Sequence, residues 1–207
     1  MDAAKFIAAQ LRQPSGFFGR HVMIHLLNRG NVPINNLALQ VLRLTPEDHV
    51  LEVGFGGGDL IARIARVLIR GHVTGVDFSQ DAVNVCAKRF KKLIEAGMID
   101  LHCANVEELP SDDTTFAKVC TVNTIYFWPN PLAVIAQFRR VLKKDGLLVV
   151  CFNPRAVMEK QRITRHGFTL YEPEEVKALF VTTGFRDVQL VSGRHHFGEC
   201  IAAVGNK

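Results

Sequence analysis

Residues 50–59 are Val-Leu-Glu-Val-Gly-Phe-Gly-Gly-Gly-Asp, and residues 73–79 are Val-Thr-Gly-Val-Asp-Phe-Ser. The aliphatic run before the glycines is typical of a strand that is buried on both faces. Between the two stretches, apolar residues recur at helical spacing from Leu60 to Arg70, with arginines on the opposite face. This order predicts a strand, glycine loop, helix and second strand. Such a unit brings the loop and Asp77 to one edge of a parallel sheet, where open α/β folds bind ligands.

The glycine spacing separates two classes of ligand. A dinucleotide site requires Gly-x-Gly-x-x-Gly, so that the backbone and a helix N-terminus can approach a pyrophosphate. The third glycine of that pattern is replaced here by Asp59. Because a carboxylate repels a diphosphate, the sequence disfavours a dinucleotide and with it a nicotinamide oxidoreductase.

The glycines that recur at every second position are Gly54, Gly56 and Gly58, and they follow an acidic residue, Glu52. This pattern resembles motif I of the class I S-adenosylmethionine (SAM) dependent methyltransferases. SAM contains an adenosine but no phosphate, so acidic partners suit it better than they suit a dinucleotide. The resemblance implies that these four residues belong to a cofactor site for SAM, with S-adenosylhomocysteine as the product.

The resemblance also assigns residues after the second and third predicted strands to this cofactor site. Asp77 occupies the position of the acid that accepts hydrogen bonds from the ribose hydroxyls, and Phe78 follows it. The segment Ala-Asn-Val-Glu-Glu-Leu-Pro at 104–110 resembles the family's Asp-Ala-Glu-x-Leu-Pro, whose acid meets the adenine amino group. Asn105 replaces that acid but can still accept a hydrogen bond through its carbonyl. Val106 is expected to supply a backbone amide; an ordinary strand-to-helix turn is the alternative.

The stretch Asn-Thr-Ile-Tyr-Phe-Trp-Pro-Asn-Pro at 123–131 follows the fourth predicted strand, whose end borders the transferred methyl group in this family. Asn123 and Tyr126 are spaced like the ends of the Asp/Asn/Ser-Pro-Pro-aromatic motif of amino-group methyltransferases. Both prolines are missing, so an adenine or glutamine amine is not assigned as the substrate, and the methylated atom (O, N, S or C) stays open. Asn123 is expected in the cofactor site, and Tyr126, Phe127 and Trp128 are expected around the acceptor, with some cation–π attraction for the sulfonium. Packing alone is the alternative for the last two.

Methyl transfer from a sulfonium mainly requires in-line positioning and exclusion of water. A phenol or alcohol acceptor would benefit from a general base, for which the candidates are Tyr126, His21, His25 and His166. Tyr126 is the one predicted catalytic residue. His21 and His25 have helical i,i+4 spacing, but no third ligand is placed by the sequence, so no metal is predicted and a lid surface is favoured.

The resemblance runs from about Pro33 to Val204 and is closest to quinone-biosynthesis methyltransferases of small molecules. It implies an α/β, Rossmann-like class I methyltransferase fold. This fold has a seven-stranded, mostly parallel sheet, a C-terminal antiparallel hairpin and an N-terminal helical lid. We expect a single domain over 1–207, with a lid or cap at 1–46 and a SAM-binding core at 47–207. The basic segment after the fifth strand is a candidate gate.

Composition limits the function classes. The chain has 207 residues, 48% of them hydrophobic, which is enough for one sizeable core. The net charge of +5 is spread over several predicted helices, so no nucleic-acid partner is expected. No apolar run reaches the roughly 18 residues of a membrane span. The five cysteines have no Cys-x-x-Cys pairing and are predicted to be buried thiols in a reducing cytoplasm.

Three functions remain open from the sequence. The favoured one is a SAM-dependent methyltransferase that acts on a small-molecule acceptor by in-line displacement. Methylation of nucleic acid or protein on the same fold is the second, and it predicts salt-dependent binding through the basic helix at 88–92. The third is a SAM-binding protein without catalysis. The sequence leaves the acceptor and the oligomeric state undetermined.

Overall fold

The computed structural model describes residues 3–12, 15–16, 19, 29–195 and 198–207. The helices are α1 (Ala3–Arg12), α2 (Val32–Leu42), α3 (Asp59–Val67), α4 (Gln80–Arg89), α5 (Lys91–Glu95), α6 (Pro131–Val141), α7 (Arg155–Met158) and α8 (Pro173–Thr182). The strands are β1 (His49–Val53), β2 (His72–Asp77), β3 (Ile99–Cys103), β4 (Phe116–Val122), β5 (Leu142–Phe152), β6 (Arg186–His195) and β7 (Gly198–Asn206). Short 3-10 helices lie at Ile125–Phe127 and Arg162–Arg165.

The described strands form a seven-stranded sheet in the order β3-β2-β1-β4-β5-β7-β6. The first five strands in this order are parallel to one another, whereas β7 is antiparallel to both β5 and β6. This confirms the predicted fold class, including the C-terminal hairpin. The order reverses between β1 and β4, so the carboxyl ends of these two strands open a crevice at the sheet edge.

Two apolar layers cover the sheet. On one face, helices α2, α3 and α4 contribute completely buried side chains such as Ile34, Ile64 and Cys86. On the other face, α6 and α8 contribute Phe138 and Phe180, which are also completely buried. Helix α2 lies within the predicted lid at 1–46, but it packs on β4 and β5 as part of the core layer.

Two predicted helices end earlier than their periodicity suggests. The helix that begins at Asp59 stops at Val67 instead of Arg70, because Leu68 takes an extended conformation and is only 1% exposed. The helix that contains the basic run at 88–92 is interrupted at Phe90, which separates α4 from α5. Phe90 is buried against the glycine loop. In both cases an apolar side chain leaves the helical path to reach the core.

Lys118 joins helix α2 to the sheet. Its ammonium donates to the carbonyl oxygen of Leu42 at 2.7 Å and to that of Arg43, so it satisfies carbonyls at the C-terminus of α2. It also lies 3.0 Å from a carboxylate oxygen of Asp48. Burial alone raises the pKa of Asp48, but hydrogen bonds from Thr45 and Lys118, together with the Lys118 charge, outweigh burial and lower it. Lys118 therefore has a structural role.

All five cysteines are free thiols, and four of them are buried as predicted. Cys103, at the end of β3, is exposed, so the prediction was wrong for this residue. Strand β3 is an edge strand, and its end leaves the apolar layers before Cys103. Among the helices of the described ranges, none combines the length and apolar character that a membrane crossing requires.

Candidate functional site

A cavity of about 300 Å³ lies at the carboxyl edge of the sheet. The glycine loop and the ends of β1, β2 and β4 form its floor, and residues that follow β3 form one wall. Helices α1 and α2 contribute further lining residues. Strands and loops that are far apart in the sequence thus meet around one concave site, as the topology predicts.

The three motif glycines have different roles, although all have positive φ angles. Gly56 lines the cavity, and a Cβ atom added there would meet no atom within 4 Å. Gly54 also lines the cavity, but its Cβ would lie 2.2 Å from the Thr124 side chain. At Gly58 a Cβ would lie 2.6 Å from the Phe90 ring, and Gly58 does not line the cavity. Gly58 therefore permits packing of the loop onto Phe90.

Asp77 is fixed between the glycine loop and helix α4. One carboxylate oxygen accepts from the Gly56 amide and the other from the Ser79 amide, both at 2.8 Å. The side chain lines the cavity and is only 8% exposed. Burial raises the pKa of Asp77, although the two amide hydrogen bonds act in the opposite direction. Each oxygen keeps a further lone pair for a ligand, so Asp77 can accept hydrogen bonds from hydroxyl groups.

Glu52 is a buried carboxylate in the cavity wall. It is 3% exposed, and its Oε2 atom has no hydrogen-bond partner among the described residues. Burial raises the pKa of Glu52 well above its usual value, and the nearby charges of Asp77 and Asp59 raise it further. Native proteins rarely leave a buried polar atom unpaired, so this oxygen indicates a ligand that is cationic or donates a hydrogen bond.

Asp59, the residue that disfavours a dinucleotide, is neutralised within the protein. Its Oδ2 atom accepts from Arg63 Nε at 2.6 Å and from Asn35 Nδ2 at 2.9 Å. Asn35 belongs to helix α2, so this contact connects the N-terminal part of the chain to the start of α3. Of the carboxylates that line the cavity, Glu52 is the one with a buried oxygen that has no hydrogen-bond partner among the described residues.

The predicted adenine end lies beside β2 and β3. Phe78, Ala104, Asn105 and Val106 line it, and Phe78 is 56% exposed, which leaves an apolar ring surface available. The Asn105 carbonyl accepts from the Glu107 amide at 3.1 Å, and one of its lone pairs remains for a ligand. The backbone of Ala104 donates to Asp77 at 3.1 Å, which fixes the loop against β2.

Asn123 ends strand β4 with a φ of +58° and lines the cavity. Its position is determined by Tyr126, whose hydroxyl lies 3.3 Å from Asn123 Oδ1. The same hydroxyl accepts from the Asn153 amide at 2.6 Å and lies 3.1 Å from the Asn153 carbonyl. The two asparagines and the tyrosine therefore form one network at the ends of β4 and β5.

These contacts do not support the predicted catalytic role of Tyr126. The ring is 2% exposed, and the residue does not line the cavity. Burial raises the pKa of its hydroxyl, and the hydrogen bonds to Asn153 only partly oppose this. A hydroxyl that is buried, engaged by two backbone groups and poorly acidic positions its neighbours; it is not available as a base.

The two aromatic residues after Tyr126 both line the cavity and also pack against other rings. Trp128 is 5% exposed and packs edge-on against Phe138, with ring centroids 5.6 Å apart. Phe127 packs on Phe168, with centroids 4.7 Å apart. Phe168 belongs to the basic segment between β5 and α8, so this segment contacts a residue that lines the β4 end of the cavity. Its predicted role as a gate stays a prediction.

Several lining residues were not found by sequence reasoning. Leu11 and Arg12 come from helix α1, and Asn31 and Asn35 come from the start of helix α2. No local motif distinguishes them, because they reach the cavity only through the packing of their helices. Of the other candidate bases, His166 does not line the cavity, and His21 and His25 lie outside the described residues.

Comparison with known proteins identifies the type of domain. Residues 51–150 match the family described as "Methyltransferase domain". The chain also superposes on a SAM-dependent methyltransferase from Aquifex aeolicus with a TM-score of 0.74 and 19% identity, over 89% of this chain and 96% of that one. Residues 51–150, about half of the chain, thus resemble a methyltransferase domain, and the chain has the fold of a SAM-dependent methyltransferase. These similarities indicate SAM as the cofactor.

Two relatives indicate the range of this methyltransferase family. An O-methyltransferase from Pyrenophora dematioidea is 26% identical over 82% of this chain. A demethylmenaquinone methyltransferase from Symbiobacterium thermophilum is 32% identical over 61% of this chain. The alignments span 66% and 49%, respectively, of the lengths of these proteins, so this chain covers less than two thirds of either relative.

The methyltransferase cavity fits SAM on its own chemistry. SAM carries two positive groups, an ammonium and a sulfonium, and the cavity offers the unpaired oxygen of Glu52. SAM also has two ribose hydroxyls, which match the free lone pairs of Asp77. Gly56 leaves open space on the cavity side, where a side chain would obstruct the ligand. The described residues therefore suit a cationic adenosine derivative.

Proposed function

We propose that this methyltransferase transfers the methyl group of SAM to a small-molecule acceptor by in-line displacement and forms S-adenosylhomocysteine. The observation that carries the proposal is the single cavity that joins Glu52 and Asp77 to an apolar wall at the end of β4. Its volume of about 300 Å³ is in the range of small-molecule sites. The names of the two relatives, an O-methyltransferase and a demethylmenaquinone methyltransferase, support this class of acceptor.

In the proposed cofactor site, Glu52 binds the cationic amino-acid end of SAM. Asp77 accepts from the ribose hydroxyls, and Gly54 and Gly56 allow close approach of the loop backbone. Gly58 has an indirect role, because it places the loop on Phe90.

The adenine ring is proposed to lie between Phe78 and Val106. Both residues line the cavity and present apolar surface to it. The remaining lone pair of the Asn105 carbonyl accepts from the adenine amino group, and the Val106 amide donates to a ring nitrogen. The partial match of this segment to the family motif is thereby consistent with an adenine site that uses an amide in place of an acid.

Catalysis in this proposal depends on positioning. Bound SAM supplies an electrophilic methyl group whose sulfonium leaves as a neutral thioether. The protein orients the acceptor with Asn123, which Tyr126 holds in place, and it excludes water with Phe127. Tyr126 is thus a positioning residue in this proposal. A cytoplasmic location also remains a proposal, supported by the five free thiols.

Cofactor binding is tested by thermal unfolding with SAM, S-adenosylhomocysteine, NAD or no addition. Ligand at about a hundred times its dissociation constant adds about 2.7 kcal/mol, a shift of several degrees for a chain of this size. We expect this shift with SAM and with S-adenosylhomocysteine, and we expect Asp77→Ala to abolish it. The control variant Asp112→Ala changes an exposed acid away from the cavity and should retain the shift. No shift with either sulfur compound would contradict the proposal.

The acceptor class is tested by S-adenosylhomocysteine release. Purified protein with SAM is incubated separately with a small-molecule extract, total RNA and a protein extract. Release that depends on the small-molecule fraction supports the proposal. Release with RNA or protein alone would refute it.

A further inference from the structure

We propose that Arg12, Asn31 and Asn123 form an oxyanion-binding end of the cavity, so that the acceptor carries an anionic oxygen such as a carboxylate, phenolate or enolate. This inference rests on the proposed function and names the acceptor class.

Arg12 is a cationic side chain among the residues that line the cavity. It lies in the last turn of helix α1 and lines the cavity. Within the described part of the chain, its guanidinium makes no hydrogen bond or ion pair. An arginine has five donors in a planar fork, which suits a carboxylate or another oxyanion.

The packing of α1 places Arg12 toward the acceptor. Helix α1 lies against the 3-10 helix at Arg162–Arg165, which belongs to the basic segment between β5 and α8. Phe168 of this segment contacts Phe127, which lines that end of the cavity. The adenine end, beside β2 and β3, lies on the other side of the glycine loop. Arg12 therefore approaches from the side at which the acceptor has to enter.

The other charges that line the cavity have partners or a cofactor role. Asp59 is paired with Arg63 at 2.6 Å, and Asp77 accepts two backbone amides. This leaves the carboxyl group of Glu52 at the end of β1, whose ionised form a bound cation favours, and the cationic Arg12 on α1. A cationic cofactor at the first and an anionic acceptor at the second complement this arrangement.

The amide groups of Asn31 and Asn123, which line the same cavity, also present donors. Asn123 Oδ1 accepts from Asn153 Nδ2 at 3.3 Å and lies 3.3 Å from the Tyr126 hydroxyl. Asn123 Nδ2 donates to Asn31 Oδ1 at 3.0 Å, which leaves it a second N–H. The amide nitrogen of Asn31 is a donor as well. Donors of this kind match an acceptor oxygen.

An oxyanion fits the reaction without an additional base. An acceptor that is bound as an anion already has the lone pair that forms the new bond to the methyl carbon, while the electrons of the sulfur–carbon bond return to sulfur. An acceptor that is not already ionised in solution releases its proton to bulk water as it binds, because a neighbouring guanidinium lowers the pKa of an acidic group. The positioning of the acceptor and its negative charge then take the place of a general base.

The test measures binding, so that it does not depend on turnover. The full-length protein loaded with S-adenosylhomocysteine is titrated calorimetrically with 4-hydroxybenzoate and 1-naphthoate, and with the corresponding neutral carboxamides. Because a charge-assisted contact replaces a neutral one, we expect each acid to bind about tenfold more tightly than its amide. Arg12→Gln should abolish this preference. Lys5→Gln, which removes an exposed charge from the same helix away from the cavity, should retain it.

Three results would overturn the inference. The first is equal binding of acids and amides by the wild type, and the second is a preference for acids that survives Arg12→Gln. The third is a loss of S-adenosylhomocysteine affinity in Arg12→Gln while methylthioadenosine, which lacks the amino-acid end, binds as before. That result would assign Arg12 to the cofactor carboxylate. Wild-type protein that fails to bind S-adenosylhomocysteine would instead refute the proposed function itself.

Discussion

Alanine substitutions at Gly56 and Gly58 should separate cofactor binding from folding. Both glycines have positive φ, +51° and +71°, so alanine at either position pays about 1–2 kcal/mol for the left-handed conformation. At Gly58 the new Cβ also lies 2.6 Å from the Phe90 ring and 3.0 Å from the Cys86 sulfur. Overpacking of this kind costs a further 1–3 kcal/mol or so. Gly56→Ala has no such steric contact within the protein.

The expected result is a difference between the two variants. Urea unfolding without cofactor should show that Gly58→Ala loses about 1–3 kcal/mol more stability than Gly56→Ala, since the backbone cost is shared. Calorimetric titration should show the reverse order for S-adenosylhomocysteine. Gly56→Ala places a methyl group in the cavity and weakens binding, whereas Gly58→Ala keeps the cavity surface. Equal losses of stability, or weaker cofactor binding in Gly58→Ala than in Gly56→Ala, would refute this division of roles.

Three further substitutions test other parts of the structure. Tyr126→Phe leaves the buried Asn153 amide without the hydroxyl that accepts from it at 2.6 Å. Urea unfolding should show a free energy of unfolding lower by about 1–3 kcal/mol. Unchanged stability would contradict a positioning role for Tyr126. Burial raises the pKa of Glu52 well above 4.5, whereas a bound cation favours the ionised form of Glu52. The affinity of the wild-type protein for S-adenosylhomocysteine should therefore rise as the pH rises through that raised pKa. Glu52→Gln should bind more weakly at every pH and show no such rise in calorimetry. Lys118→Met removes the partner of Asp48 and should cost about 1–3 kcal/mol. Because the pKa of Asp48 is lowered from 3.8 in the folded protein, the Lys118–Asp48 pair stabilises the fold above that pH. This stabilisation is lost as the pH falls further and Asp48 is protonated. The acid unfolding curves of the variant and the wild type should therefore converge.

The fold was predictable because its signals are local. Positive φ angles at Gly54, Gly56 and Gly58 are available to glycine at little cost, and the change of periodicity around them predicts a strand followed by a helix. Repetition of this unit leads to a parallel sheet with right-handed crossovers. The antiparallel hairpin formed by β6 and β7 follows from two strand patterns without a helix between them.

Element boundaries were less predictable because they depend on distant partners. Periodicity continues a helix through Phe90, but the ring turns to meet Gly58, which is 32 positions earlier in the sequence. Leu68 leaves its helix to enter the core for a similar reason. No pattern within a single segment contains this information, because a side chain's burial is decided by which other elements pack on it.

The sequence by itself determined the class of fold and, through its resemblance to a known family, the SAM cofactor. It also determined that Glu52, Asp77 and Asn105 lie around the glycine loop, because strand ends on one sheet edge must meet. The tertiary structure decided what each residue does there. Only packing shows that Tyr126 is buried against Asn153, 27 residues away, and that helix α1 brings Arg12 to the cavity. These roles depend on distances between side chains from separate elements, and such distances exist only once the elements are packed together.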